Sequence, residues 1–333
     1  MLSFTIVSAL AAAFARIAAP RRVHGISALL LPFTAAGAVD WDAFERHLLA
    51  TRASGLDVAV NMDTGFGDML TEAERDAVLS ATRRALGAGV RFFAGAFADD
   101  AGDHRPAVAA IARHEAIPVL VQHRAMHGLA PRDKADGYRR ACEGLERAVA
   151  FELSPVFAAH GEIWDDETFA RLLEIPSLIG AKHSSLDRAR ELDRLAARDR
   201  ARPDFRIYTG NDLAIDMVLY GSDYLLGLST FAPGAFGERD RALAVGDLSF
   251  LARNDALQHL GNVGFRAPVP AYKHSAAQYL HLTGVLASDA IHPRAPRRPA
   301  SDRVLLFDCA LRLGALDDPE RAFAERVLPF VDR

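Results

Sequence analysis

The sequence predicts an α/β protein, a closed (β/α)8 TIM barrel with a C-terminal helical extension. From Gly25 onward, eight short apolar runs alternate with longer helical patterns, at a spacing of roughly 25 to 30 residues that is typical of strand-plus-helix units. After Pro233 the pattern becomes purely helical and continues for too long to be the last barrel helix alone. An open, doubly wound sheet is the competing fold, but no glycine-rich dinucleotide turn follows the first run.

The first four strands are predicted from apolar runs that end at polar or turn-forming residues. Residues 26–31 form the first run, and the helix that follows begins near Asp40. The second run ends in Asn61. Thr71, with Glu74 three residues later, then predicts a capping box at the start of the next helix. The second, third and fourth runs cover residues 58–61, 91–97 and 118–122.

The other four strands and the limits of the barrel follow from the second half of the chain. The fifth to eighth runs cover residues 149–153, 178–185, 205–209 and 224–228. The helical patterns beyond them are broken by several prolines, which indicates separate helices packed on the barrel. We therefore divide the chain into an N-terminal extension (1–24), the barrel (25–236) and the C-terminal extension (237–333).

The N-terminal 19 residues are apolar and rich in alanine, which raises the question of a signal peptide. A signal peptide places its positive charges before the apolar run, whereas here Arg16 interrupts the run and Arg21 and Arg22 follow it. The run is also short for a membrane span. We expect an extra N-terminal helix or extension and a cytoplasmic protein, with secretion as the alternative.

The composition excludes several classes of partner. The formal net charge is −4, and no basic stripe interleaved with aromatic residues is present, so a nucleic-acid partner is not expected. The two cysteines, Cys142 and Cys309, show no metal-type spacing and suit a reduced cytoplasm. We expect a small-molecule substrate and no membrane partner.

Lysine is rare in this chain, which draws attention to one of its lysines. The protein contains three lysines, at positions 134, 182 and 273, against thirty-six arginines. Lys182 ends an apolar strand, where an amine can lose its proton and attack a carbonyl group, whereas a guanidinium cannot. The alternative is a structural lysine that reaches solvent from the end of the strand.

Polar residues follow most of the predicted strands, and in a barrel these strand ends form the active site. A lysine in such a partly desolvated mouth would have a lowered pKa, so its free amine would form a Schiff base with a ketone or 2-keto acid. The polar strand-end residues are Asn61, Asp63, Thr64, Gln122, His123, Glu152, Lys182, His183, Asn211, Asp212, Ser229 and Thr230.

Several segments resemble the dihydrodipicolinate synthase and N-acetylneuraminate lyase superfamily of Schiff-base lyases, as a divergent member. Residues 179–185, Ile-Gly-Ala-Lys-His-Ser-Ser, resemble its strand 6 segment and place Lys182 at the Schiff-base position. Residues 208–212, Tyr-Thr-Gly-Asn-Asp, resemble its strand 7 turn, and residues 268–273 resemble a C-terminal segment that precedes a helix. The resemblance extends from about Gly25 to about Leu313.

The resemblance also shows where this chain departs from the superfamily. The strand 2 loop, Gly-Thr-Thr-Gly-Glu in the family, binds the carboxylate of a keto acid; here Asp63 replaces its first threonine and Phe66 its glutamate. The carboxylate of Asp63 would repel a substrate carboxylate unless it is protonated or paired. An alignment through Pro155 puts Glu152 in the place of the proton-relaying strand 5 tyrosine. Glu152 would then transfer protons, or would only pair with Lys182.

These comparisons lead to a predicted site and a predicted activity. We expect a class I lyase, aldolase or dehydratase that acts on a 2-keto acid or a related hydroxylated carbonyl compound, with no cofactor beyond the imine. The resemblance implies a homodimer or homotetramer. Lys182 and Glu152 are the predicted catalytic residues. The predicted substrate-binding residues are Asp63, Thr64, Gly65, His123, His160, His183, Gly210, Asn211 and Gly227.

Two other functions remain open from the sequence. A metal-dependent aldolase or sugar isomerase would use His123, Glu152 and His183 as ligands of a divalent metal. No HxH or HExxH pair is present, which favours histidines that hydrogen-bond a hydroxylated substrate. The other alternative is a barrel that binds a ligand without converting it, since the strand 2 loop and the strand 5 tyrosine have both changed.

Overall fold

The structure, a computed structural model, describes residues 11, 15–17, 19–158 and 161–331. Most of the N-terminal run, for which the sequence predicts an extra helix, lies outside these described residues, and so does His160. In the described ranges, no helix is both long enough and apolar enough to cross a membrane.

Eight parallel strands close into a barrel, which confirms the predicted fold class. The strands are β1 (Gly25–Ala28), β2 (Asp57–Val60), β3 (Phe93–Ala96), β4 (Ile117–Val121), β5 (Ala148–Leu153), β6 (Leu178–Ser184), β7 (Arg206–Thr209) and β8 (Asp223–Leu226). They pair in chain order, and β8 pairs with β1 to close the barrel. Closure brings the ends of all eight strands to a common mouth.

A ring of helices covers the outside of the barrel. The helices are α1 (Trp41–Ala53), α2 (Glu72–Leu86), α3 (Arg105–Arg113), α4 (Pro131–Ala141), α5 (Asp166–Leu173), α6 (Arg188–Ala201) and α7 (Pro233–Val245). Between β7 and β8 a 3-10 helix, Ile215–Tyr220, takes the place of an α-helix. The predicted capping box is confirmed at α2, because Thr71 accepts from the amide of Glu74 and the carboxylate of Glu74 accepts from the amide of Thr71.

The chain continues beyond the barrel as further helices, as predicted. They are α8 (Ser249–Gly264), α9 (Tyr272–Leu282), α10 (Asp302–Arg312), α11 (Pro319–Arg326) and α12 (Leu328–Val331). Helix α9 is buried along nearly its whole length, and its first two residues, Tyr272 and Lys273, contact the turn after β2. Helix α7 crosses the proposed boundary between residues 236 and 237, and the division into domains stays a prediction.

Side chains alternate between the inside and the outside of the barrel along each strand. On β5, Phe151 belongs to the apolar cluster that fills the barrel, whereas Ala150 packs between the strands and the surrounding helices. The register pairs Phe151 with Lys182 and Glu152 with His183. The first pair therefore faces the inside of the barrel, and the second pair faces outward, toward the helices.

Candidate active site

Lys182 lies in a small pocket at the mouth of the barrel. Strand β6 provides the lysine, the turn after β2 provides Asp63 and Thr64, and the turns after β7 and β8 provide Asp212 and Gly227. These segments meet because parallel barrel strands all end at the same rim. The other residues that line the pocket are Ala28, Met62, Phe151, Leu153, Phe157, Ser184 and Tyr272.

The amine of Lys182 is held in place by its neighbours inside the barrel. Its Nζ donates to Ser184 Oγ at 2.6 Å and lies 4.1 Å from the centre of the Phe151 ring. Gly210 leaves the space for this arrangement, since a Cβ at that position would lie 2.7 Å from Nζ. The amine is therefore fixed without a close carboxylate partner in this set of contacts.

Burial shifts the pKa values of Lys182 and of Asp212, a carboxyl group in the same pocket lining. Desolvation lowers the pKa of Lys182 to about 8, while the charges of Asp212 and Asp63 act in the opposite direction. Desolvation likewise raises the pKa of Asp212 to about 7, against the influence of Lys182. Both groups thus titrate near neutral pH, and they do so as a pair. This arrangement provides a free amine and a proton donor in one pocket.

The turn after β2 is a 3-10 helix, Asp63–Gly65, whose polar groups are bound by the C-terminal extension. Lys273 Nζ donates to Asp63 Oδ1 at 2.7 Å, and the hydroxyl of Tyr272 donates to Asp63 Oδ2 at 2.7 Å. Thr64 Oγ1 lies 2.8 Å from the same hydroxyl. The carboxylate of Asp63 is therefore paired. Pairing and protonation are the two conditions under which the sequence analysis expects Asp63 not to repel a substrate carboxylate.

Tyr272 is a pocket residue that the sequence analysis missed. Its phenol lines the pocket of Lys182, and its ring stacks on Phe265 with 4.3 Å between the ring centres. Burial, followed by the charge of Asp63, keeps the pKa of Tyr272 well above its ordinary value, so the hydroxyl keeps its proton. The segment 268–273 resembles a family segment that precedes a helix, but its sequence does not indicate that its tyrosine reaches the pocket. Its contact with the turn after β2 depends on the packing of α9.

Glu152 does not face Lys182, so the structure does not bring together the two residues that are predicted to be catalytic. Its carboxylate is buried on the outer side of the barrel, where it contacts His183 Nδ1 and accepts from Arg194 Nη2 at 2.8 Å and from the amide of Trp164 at 2.8 Å. Burial alone would raise its pKa, but His183 and Arg194 outweigh burial and hold the pKa of Glu152 below its ordinary value. An alignment through Pro155 puts Glu152 at the tyrosine position, whereas strand alternation and register place Phe151 beside Lys182.

His183 and Asn211 are likewise held outside the pocket lining, contrary to their predicted substrate-binding roles. His183 is buried against Glu152, and its Nε2 is 2.7 Å from Ser185 Oγ. Asn211 is fully buried and bridges two segments, since its Oδ1 accepts from the amide of Leu186 and its Nδ2 donates to Glu191 Oε2. Asp212, the next residue, lines the pocket instead of Asn211.

The remaining predicted residues fall into three groups. Gly227 lines the pocket, and a Cβ there would lie 3.0 Å from the Tyr272 ring; Gly65 sits in the turn that carries Thr64. His123 follows β4 and accepts from the amide of Ala125 at 3.2 Å, and it is not among the residues that line the pocket. His160 lies outside the described residues.

The metal-dependent alternative required His123, Glu152 and His183 to converge. Among the described residues, no group of three or more His, Cys, Asp or Glu side chains is arranged to hold a metal ion. Glu152 and His183 contact each other on the outer side of the barrel, whereas His123 caps the short 3-10 helix after β4. These three residues therefore do not form the expected site.

Two curated proteins are similar in sequence to most of the chain, and no protein-family model matches it. The 4-hydroxy-tetrahydrodipicolinate synthase of Laribacter hongkongensis (strain HLHK9) is 29% identical over 249 residues, which cover 70% of this chain and 80% of that protein. The protein of the same name from Kosmotoga olearia (strain ATCC BAA-1733 / DSM 21960 / TBF 19.5.1) is 26% identical over 233 residues, covering 67% of this chain and 76% of the relative.

Solved structures share the fold at lower identity. Dihydrodipicolinate synthase from Acinetobacter baumannii, solved in complex with pyruvate, has a TM-score of 0.75 and 21% identity, and the match covers 89% of this chain and all of the other. The Thermotoga maritima enzyme has a TM-score of 0.74 and 19% identity, with the same coverage. These similarities show the fold that the chain shares with the solved structures over 89% of its length.

The ion pair of Glu152 leads to a first prediction, which concerns stability. Arg194→Ala should lower the free energy of unfolding by about 3–5 kcal/mol, because it leaves a buried carboxylate without its cation. Arg190→Ala is the matched control on the same helix, since Arg190 pairs only with Asp166 at the surface in the contacts described, and it should change the free energy by less than about 0.5 kcal/mol. Urea unfolding measures both; equal losses would contradict the prediction.

Proposed function

We propose that this chain is a divergent member of the dihydrodipicolinate synthase family and a class I lyase, an aldolase or dehydratase, that forms an imine on Lys182. The curated relatives support a lyase in general terms; the imine and its substrate are our proposal. The expected substrate is a 2-keto acid or a related hydroxylated carbonyl compound. The observation that carries the proposal is the buried amine of Lys182, with a pKa of about 8, which lines the same pocket as Asp212.

The pocket contains the groups that imine formation needs. The neutral amine of Lys182 attacks the carbonyl carbon, a C–N bond forms as the C–O π bond breaks, the carbonyl oxygen takes up a proton, and the nitrogen loses one. The resulting carbinolamine takes a second proton on that oxygen and loses it as water, which leaves a C=N⁺ iminium. The iminium then accepts the electron pair of a neighbouring C–C or C–H bond as that bond breaks. Asp212, with a pKa of about 7, is suited to give and take the protons near neutral pH.

Tyr272 is the second group that we assign to proton transfer, in place of Glu152. Its hydroxyl is buried in the pocket lining and connects Thr64 with Asp63 through hydrogen bonds of 2.8 and 2.7 Å. Phe151, which has no hydroxyl, occupies the strand 5 position opposite Lys182. In this proposal the phenol of the proton relay comes from the C-terminal extension rather than from β5.

We also propose that the protein acts in the cytoplasm, without a cofactor, as a homodimer or homotetramer. The imine needs no separate cofactor, because the nitrogen of Lys182 itself becomes the electron acceptor. Size-exclusion chromatography with light scattering measures the oligomeric state directly, and a monomer at micromolar concentration would contradict that part of the proposal.

Borohydride trapping tests the proposed function. Incubation with a panel of 2-keto acids and hydroxylated carbonyl compounds, followed by borohydride, should give a stable mass adduct on Lys182. Peptide mapping is simple because the chain has only two other lysines, Lys134 and Lys273. Lys182→Arg keeps a positive charge but should abolish the adduct, since a guanidinium forms no imine. Lys134→Arg is the matched control and should retain it. Folded wild-type protein without an adduct on Lys182 would refute the proposal.

The charge of Asp212 should set the pH at which Lys182 becomes reactive. The trapping rate should rise with pH through about 8, because the deprotonated amine is the nucleophile. Asp212 raises the pKa of Lys182, so Asp212→Asn should lower that pKa and move the midpoint of the pH–rate profile to a lower pH. Asp216→Asn, which alters a carboxylate paired with Arg188 near the surface, should leave the midpoint unchanged. A shift to higher pH would contradict this.

The hydroxyl of Tyr272 should be needed for turnover. Tyr272→Phe keeps the stacked ring but removes the proton carrier, and it should lower kcat with any substrate found by roughly 10²–10⁴-fold. Tyr279→Phe is the matched control on the same helix, because the Tyr279 hydroxyl is buried and has no hydrogen-bond partner among the residues that the structure describes. Circular dichroism checks that both variants fold. Similar rates in the two variants would show that the Tyr272 hydroxyl carries no proton.

A further inference from the structure

The hydrogen bonds around Asp63 have a fixed direction, which determines what the pocket offers to a substrate. An ionised carboxylate only accepts hydrogen bonds. Both oxygens of Asp63 are engaged, Oδ1 by Lys273 Nζ and Oδ2 by the hydroxyl of Tyr272, each at 2.7 Å. Lys273 is buried, with 2% of its surface exposed, and it contributes its charge to this pair.

The donor and acceptor roles at Asp63 also determine those at Thr64, the threonine in the pocket. Tyr272 has a single hydroxyl proton, and this proton is donated to Asp63. In the 2.8 Å contact between Thr64 and Tyr272, Thr64 must therefore be the donor and the phenol oxygen the acceptor. With its own proton committed in this way, Thr64 Oγ1 has only lone pairs left for the pocket. A substrate group beside it is best matched by a hydrogen-bond donor, such as a hydroxyl.

The charges of the pocket also favour a neutral hydroxyl group over a carboxylate. Its lining contains two carboxyl groups, Asp63 and Asp212, and Lys182 is the only cation in the lining that the structure describes. Lys182 reacts as the neutral amine, and the positive charge of Lys273 is already paired with Asp63. A substrate carboxylate at the turn after β2 would meet the acceptor Thr64 Oγ1 and would share the pocket with the carboxyl group of Asp212, without a free cation to balance its charge.

We propose that the carbonyl compound that reacts with Lys182 carries a neutral hydroxyl group on the carbon next to its carbonyl carbon, as α-hydroxy ketones and α-hydroxy aldehydes do. It does not carry the carboxylate of a 2-keto acid at that place. The hydroxyl donates to Thr64 Oγ1, and the apolar side chains of Met62, Phe151 and Leu153 cover the rest of the pocket. This inference rests on the proposed imine mechanism and narrows its substrate class.

A competition between two probes of similar size tests the inference. Hydroxyacetone and pyruvate differ in one group, a CH₂OH in place of a carboxylate, and both form an imine that borohydride traps. With equal concentrations at pH 8, the adduct of hydroxyacetone on Lys182 should form at least about tenfold faster, which corresponds to roughly 1.4 kcal/mol. The masses of the two adducts differ, so a single experiment measures the ratio.

Asp63→Asn tests the cause of the preference. An amide can donate to the oxygen of Tyr272, which releases the proton of Thr64 toward the pocket, and the substitution removes a negative charge. The ratio should therefore shift toward pyruvate by about tenfold or more. Asp68→Asn is the matched control, because Asp68 also lies in the electrostatic field of Lys273 but does not line the pocket, and the ratio should stay at the wild-type value.

The outcomes separate this inference from the proposed function. A wild-type preference for hydroxyacetone supports the inference, and it needs no variant that folds. Equal or faster trapping of pyruvate on Lys182 overturns the inference and leaves the imine mechanism in place. A wild-type protein that forms no adduct on Lys182 with either probe, or with the wider panel of carbonyl compounds, overturns both. An unchanged ratio in folded Asp63→Asn shows that Asp63 is not the cause and overturns the hydrogen-bond argument.

Discussion

The two-residue alternation of the barrel strands is the constraint on which the site depends. Neighbouring residues of a strand point to opposite sides, so one strand pair supplies both the pocket and the layer behind it. Phe151 and Lys182 face the inside, where burial lowers the pKa of the amine. Glu152 and His183, one position further on, face the helices and join the ion pair with Arg194. A shift of these strands by one residue would turn Glu152 and His183 into the barrel and Phe151 and Lys182 toward the helices.

The C-terminal extension completes the site that the barrel begins. Helix α9 is buried against the mouth and supplies the phenol of Tyr272 and the cation of Lys273. Without that cation, Asp63 would be an unpaired carboxylate in a pocket that already contains Asp212. Extension and barrel therefore depend on each other, because the buried charge on one has its partner on the other.

The two lysines near the pocket show how surroundings decide the role of one residue type. Lys273 is within 2.7 Å of a carboxylate, so its positive charge is stabilised and it serves as a counter-ion. Lys182 is surrounded by a hydroxyl, an aromatic ring and buried backbone, so desolvation outweighs the attraction of more distant carboxylates. An arginine would suit the first position, whereas the second needs a group that can lose its proton.

The sequence by itself determined the closed barrel, the capping box at Thr71 and the strand that carries Lys182, because periodicity and local hydrogen bonds are written in neighbouring residues. It also indicated Asp63 and Thr64, which follow a strand directly. Only the tertiary structure decided that Asp212 rather than Asn211 lines the pocket, that Glu152 faces outward, and that Tyr272 reaches Thr64 from about two hundred residues away. The physical reason is that strand rotation and helix packing, which set those directions, depend on contacts between segments distant in sequence.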